Sequence, residues 1–171
     1  MNWTPLKIRT HFSLQKGYGK PEEYVKKCKE LGYKSCAIAD INTLAGAVVF
    51  YKACKKYDIK PLLGCSVKLN GESETYIAKN KDGWHDLIDI VTTSNILSEQ
   101  ESLEHSKKVV KNGNLVSIDH INQGSIYYAN QDDCKLQRIL LCSGMKSTAS
   151  KISKKLRDGE DFPEKKFFTE D

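Results

Sequence analysis

A chain of 171 residues, 39% hydrophobic and 29% charged, is long enough to bury a core without disulfide or metal staples. Its longest apolar runs, such as Ala45 to Tyr51, are far too short to cross a bilayer. The opening MNWTPLKIRT lacks the basic-then-apolar order of a signal peptide. The net charge of +5 comes from scattered lysines, a pattern that serves solubility as readily as contact with a phosphate backbone. No aromatic residues interleave with those lysines as a single-strand stacking platform requires. Six cysteines (Cys28, Cys36, Cys54, Cys65, Cys134, Cys142) include no CxxC pair, so free thiols in a reducing cytoplasm are expected.

In chain order, PLKIRT (5–10) alternates like a half-buried strand, and HFSLQKGYGK follows as a loop. Pro21, with Glu22 and Glu23 behind it, opens a helix that Gly32 closes. KSCAIA (34–39) is a short strand ending at Asp40. Thr43 caps the next helix, to about Tyr57, with Leu44, Val48, Tyr51 and Cys54 inward. Ile59 to Leu69 is a strand, Gly71 a turn and Thr75 to Ala78 the return strand of a hairpin. Two successive strand–helix–strand units of this kind place neighbouring strands parallel.

Asp82 and Gly83 begin a long helix with Trp84, Leu87, Ile88 and Val91 on one face, ending before Ser98. Ser98 to Ser106 reads as a polar surface connection, with one more helical turn over Lys107 to Lys111. Asn114 to Ile118 and Ser125 to Tyr128 are short strands, and Asp132 to Leu141 is a helix with Leu136, Ile139 and Leu140 inward. The tail, 147–171, carries an amphipathic segment (Ile152, Leu156) and a Phe162, Phe167, Phe168 cluster, which either closes the chain's own core or meets a partner.

Several of these segments together resemble a known family. LKIRTHFSL, PEEYVKKCKELGY, the Ala39-Asp40-Ile41 turn, GAVVFYKACKK, IKPLLGC, YIAKNKDGWHDLIDIVTTS, SIYYANQDDCKLQRILLC and GEDFPEKKFF follow in order across almost the whole chain. In that order they resemble the PHP (polymerase and histidinol phosphatase) domain that opens the bacterial family C replicative polymerase, the polymerase III alpha subunit. The stretch over residues 46–65 is the most specific part, and the middle, about 95–114, is shortened. The resemblance implies one α/β domain over 1–171: a reduced, distorted PHP-type (β/α) barrel of mostly parallel strands.

Members of that family that act as phosphoesterases hold a metal cluster with His, Asp and Glu at strand ends. Carried over position by position, the opening His-x-His falls on Lys7 and Arg9, and the loop Asp on Lys16. The His of the Asp-His turn falls on Ile41, the Glu after Gly-Cys on Ser66, and the closing Asp-x-His on Ser125 and Tyr127. Only Asp40 is kept. One carboxylate cannot assemble a polynuclear site, because divalent metals need several deprotonated donors converging at once. The expectation is therefore no catalytic residue and no metal cofactor.

The competing expectation is a rearranged manganese or zinc site built from His11, Asp40, Asp119 and His120, giving a phosphoesterase or 3′–5′ exonuclease. In it, a shifted register brings His11 inward, and Asp119 with His120 supplies the one acid–imidazole pair at a strand end. His85 and His105 read as surface residues. Asp40 reads more simply as a turn residue bonding the backbone of Asn42 or Thr43. Lys7, Arg9 and Lys16 are candidates to hold a phosphate or sulfate in the vacated pocket. The resemblance implies as partners the polymerase body or the proofreading exonuclease, with weak DNA contact and no membrane role. A free-standing mimic that sequesters a replication factor is the third reading, and the divergence of the sequence leans toward a phage-type protein.

Overall fold

The computed structural model describes residues 3–69, 71–121, 123–146 and 148. The tail segment with Ile152 and Leu156, and the Phe162, Phe167, Phe168 cluster, lie outside the described residues. The elements are α1 (Pro21–Glu30), β1 (Ser35–Ile41), α2 (Ala47–Tyr57), β2 (Lys60–Leu69), β3 (Glu72–Ala78), α3 (Lys81–Ile96), α4 (Glu99–Val110), β4 (Leu115–Ser117) and α5 (Cys134–Gly144), which a short 3-10 turn (Gln131–Asp133) precedes.

The four strands form one sheet in chain order. β1 and β2 run parallel, Ser35 opposite Lys60 through Ile41 opposite Ser66, as a strand–helix–strand unit dictates. β3 folds back antiparallel on β2 through a turn at Gly71 (φ 82°), and β4 pairs antiparallel with β3. The 5–10 segment lengthens the sheet past β1, with Ile8 bridging Ile38 on one side and Ile126 on the other, both parallel. With these bridges, three of the five strand pairings are parallel. Among the described residues the sheet is open, a reduced α/β form of the expected barrel.

Two large apolar layers and a smaller cluster of Ala37, Ile77 and Ile118 hold it together. Ile8, Tyr24, Val25, Cys28, Cys36, Ile38, Phe50 and Cys54 pack between the sheet and the α1–α2 pair. Cys65, Val67, Tyr76, Leu87, Ile90, Val109 and Leu115 pack β2, β3 and β4 against α3 and α4. All six cysteines are free; four are buried and Cys134 and Cys142 are half-buried. Burial pushes the Cys65 thiol up to about 12, so it stays protonated and packs as a small hydrophobe.

Thr43 does not cap α2, whose N-cap is Gly46, and of the 125–128 segment only Ile126 makes a bridge; three further local expectations fail, each for a physical reason. α2 buries Ala47, Phe50, Ala53 and Cys54, whereas Val48 and Tyr51 face out at 60% and 44% exposure. The helix carries two apolar stripes, and the one with small residues seats it closer to the sheet, with Phe50 filling the gap. α5 likewise turns Leu136 and Ile139 outward and buries Gln137 and Leu141. The buried Gln137 amide is spent on a specific bond, donating to the Lys16 carbonyl at 3.1 Å.

The third failure is residues 98–110, which are helix and not connection. Ser98 and Glu101 form a capping box. Buried Ser102, Ser106 and Val109 line one face of α4, and the Ser102 hydroxyl donates to the Thr93 carbonyl of α3 at 3.2 Å. Hydroxyls at helix-packing positions hid an amphipathic face whose buried side is small and polar.

Candidate functional site

Every position that the family correspondence marks lies at one end of the sheet. β1 and β2 are parallel, so the carboxyl end of β1, Asp40 and Ile41, stands in register with Cys65 and Ser66, past which β2 runs on to Leu69 in its pairing with β3. The antiparallel return brings Thr75 opposite Ser66. Lys7 and Arg9 flank Ile8 on the segment that bridges β1 and Ile126, and Ser125 and Tyr127 flank Ile126 on the neighbouring one. Side chains at i and i+2 share a sheet face. Such strand ends are where α/β folds place ligand chemistry.

Asp40, 1% exposed, organises this end. Its Oδ1 accepts from the Thr10 amide and the Ser13 hydroxyl, both at 2.6 Å, and its Oδ2 accepts from the Thr10 hydroxyl at 2.7 Å. Ser13 Oγ in turn accepts from the Ile41 amide at 3.1 Å. The carboxylate thus ties the 11–17 loop to β1, a structural role whose partners are Thr10 and Ser13 and not Asn42 or Thr43. Burial pushes its carboxyl above the ordinary value of 3.8, against the lowering pull of these hydrogen bonds and of Arg9. Gly46 completes the fit, because a Cβ there would stand 2.9 Å from Asp40 Oδ2 and 2.8 Å from Phe12.

Arg9 lies beneath this loop at 4% exposure. Its Nε and Nη2 donate to the Ser125 hydroxyl over a long 3.4 Å each, and its Nη1 has no hydrogen-bond partner among the described residues. Burial lowers its pKa below the ordinary guanidinium value, offset in part by the Tyr127, Asp40, Cys65 and Asp119 side chains. Lys7 is paired with Asp119 at 3.2 Å, and Asp119 also accepts from the Thr75 amide at 2.6 Å. Ser66 and Thr75 share a buried hydroxyl–hydroxyl bond of 2.6 Å.

Lys16 is half-buried, and its charge is disfavoured first by burial, then by the Lys68 and Arg9 cations. The sequence reading missed Lys68. The signal for it is the two-residue step from Ser66 along β2, which puts Ser66 and Lys68 on one face. The Lys68 amide also donates to Asn42 Oδ1 at 2.8 Å, beside the Asp40 turn.

The alternative set is not brought together. His11 is exposed, its Nδ1 3.1 Å from the Gly19 carbonyl and its ring on Phe12 at 4.2 Å, so the shifted register does not occur. His120 is exposed, and Asp119 is committed to Lys7 and the Thr75 amide. Among the described residues no three His, Cys, Asp or Glu side chains converge as a metal would require. Both Asp40 oxygens already face donors, and cations stand where ligands would. Among the described residues, the side chains at these strand ends do not fit the donor set of a divalent metal.

The profile of the PHP domain matches residues 5–168. DNA polymerase III subunit alpha of Buchnera aphidicola (from Schizaphis graminum) is 36% identical over 94 residues, 51% of this chain and 8% of that protein. DNA polymerase III subunit alpha of the Buchnera strain from Acyrthosiphon pisum is 28% identical over 143 residues, 80% of this chain and 12% of that protein. The chain therefore spans about a tenth of the length of these relatives. Among solved structures, a chain assigned as a metal-dependent phosphoesterase of Bifidobacterium adolescentis superposes with a TM-score of 0.45 at 18% identity, over 92% of this chain and 56% of that one. With the family profile covering nearly its whole length, this chain belongs to the PHP domain family.

Proposed function

We propose that this chain is a catalytically silent PHP module that serves as a scaffold or docking surface for a family C replicative polymerase. The observation that carries the reading is the replacement of ligand positions by Lys7, Arg9, Lys16, Ile41, Ser66, Ser125 and Tyr127 around a single retained carboxylate that is consumed in loop anchoring. The core that builds the strand ends is intact, and the donors that chemistry needs are gone. Selection on packing and surface, without selection on hydrolysis, leaves that pattern. Its partner, on this reading, is the polymerase body or the proofreading exonuclease.

Two measurements test it together. Chelator-treated protein titrated with manganese and zinc, then incubated with a labelled primer, is expected to take up no stoichiometric metal and release no nucleotide. Turnover that Asp40→Asn abolishes would instead establish the phosphoesterase. Co-purification with separately expressed polymerase and exonuclease is expected to give a stable complex that includes polymerase. Capture of exonuclease without polymerase would favour the sequestering mimic, and capture of neither would refute the scaffold.

A further inference from the structure

At the amino ends of β1 and β2, opposite the Asp40 turn, the fold opens a cleft of about 650 Å³. Lys29 of α1, Lys34 ahead of β1, Lys55 of α2 and Lys60 of β2 border it, with Asp58 the one carboxylate among the lining residues. The parallel pairing sets two of these lysines side by side: Ser35 stands opposite Lys60, and the Lys60 amide donates to the Lys34 carbonyl at 2.8 Å. All four lysines are exposed, and none belongs to an ion pair among the described residues. Between them the lining is apolar, with Tyr33, Ile59 and Cys54 all buried.

Two of the lysines have a local explanation. Lys29 and Lys55 lie in the last turns of α1 and α2, where a cation complements the negative end of the helix dipole. Lys34 and Lys60 have none, because they stand at strand starts and a sheet carries little net dipole. Four ammonium groups against one carboxylate favour an anionic partner. An apolar stripe continues from the cleft along α2. Val48, Tyr51 and Lys55 are spaced by three and four residues and so share one helix face, and Lys55 Nζ stands 5.5 Å from the Tyr51 ring centroid. Val48 and Tyr51 are the same residues that the helix turns to solvent.

This combination suits a peptide better than a nucleic acid. Tyr51 already carries an ammonium over its ring and Tyr33 is buried beside Trp3, so neither is a free platform for a base. The lining residues include no arginine, the side chain whose planar fork matches phosphate. We propose that the cleft and the outer face of α2 dock an acidic peptide segment of a partner protein. Its carboxylates meet Lys29, Lys34, Lys55 and Lys60, and an apolar side chain rests on Val48 and Tyr51. The inference does not require the partner to be a polymerase.

The test selects a displayed library of random peptides of about a dozen residues on the immobilised chain, then titrates the labelled winners by fluorescence anisotropy. Expected are sequences rich in Asp and Glu beside a leucine or an aromatic residue, with binding that added salt weakens. Lys34→Glu and Lys60→Glu should each weaken it about tenfold, a 1.4 kcal/mol change, and Tyr51→Ser should weaken it as well. Thermal melts check that the variants are folded, and Lys34→Gln replaces any charge reversal that unfolds. Failure to select peptides, winners without acidic enrichment, or binding that the lysine variants leave unchanged overturns the proposal. So does a single-stranded oligonucleotide that binds with the same lysine dependence when acidic peptides do not, or self-association in sedimentation that Lys34→Glu abolishes, which assigns the surface to a second copy. Peptide binding without any polymerase complex in co-purification would refute the scaffold and leave this surface standing.

Discussion

Asp40→Ala separates an anchoring carboxylate from a residual metal ligand. In the fold this side chain is the acceptor for the Thr10 amide at 2.6 Å, the Ser13 hydroxyl at 2.6 Å and the Thr10 hydroxyl at 2.7 Å. Truncation orphans all three. The hydroxyls can rotate toward other acceptors, but the Thr10 amide cannot, and a buried donor without a partner costs about 1–3 kcal/mol. Arg9 also loses a nearby opposite charge, which adds the penalty of a less compensated buried cation. Together these give an expected loss of about 3–5 kcal/mol.

That loss is a large share of the roughly 5–15 kcal/mol by which a domain is stable. Urea unfolding followed by circular dichroism is the assay, with the midpoint expected to fall while the slope stays constant. Asp40→Asn keeps the acceptor on one oxygen and is expected to lose less than the alanine variant. A loss below about 1 kcal/mol for Asp40→Ala would refute the reasoning, because it would mean the loop does not depend on this carboxylate.

Three further outcomes follow from the same geometry. Gly46 has helical angles (φ −76°, ψ −16°), so helix propensity alone predicts that Gly46→Ala stabilises; contacts of 2.8–2.9 Å with Phe12, Asp40 and Ile38 instead predict a loss of about 1–3 kcal/mol, and a raised melting temperature would contradict this. Ser98→Ala removes the α4 capping box and should cost about 1 kcal/mol in a urea titration, with Ser98→Asp restoring most of it; no difference between the two variants would count against the cap. For pH, burial raises the Asp40 carboxyl above 3.8, so the folded state holds that proton more tightly than the unfolded chain. The stability contributed by this titration is fully present below 3.8 and is lost as pH rises through the raised folded value. The wild-type advantage over Asp40→Asn, read from urea midpoints between about pH 3 and pH 7, should therefore shrink with rising pH; a widening advantage would be inconsistent with desolvation as the dominant cause.

The positions of the candidate site come from the order of motifs in the sequence. Lys7, Arg9, Ser66, Ser125 and Tyr127 could be aligned by motif order, and alternation along strands then placed them on common faces. The expectation of lost ligands rests on residue identity, because lysine, arginine, isoleucine and serine are not the donors of a polynuclear cluster. Lys68 escaped because nothing in its local sequence separates it from other surface lysines. Only the register of β2 against β1 brings it beside Asn42 and the Asp40 turn.

Period and punctuation, which are local properties, determined the element order from α1 through β3: Pro21 opens a helix, Gly71 turns a hairpin, and two strand–helix–strand units run parallel. The face each helix buries was decided only on assembly. α2 and α5 each carry more than one apolar stripe, and the choice rested on small side chains that permit close approach in α2 and on a single amide bond to the Lys16 carbonyl in α5. The role of Asp40 was settled at the same level. A carboxylate at a strand end is chemically uncommitted until residues 10 and 13, some thirty positions away in the chain, present their donors to it.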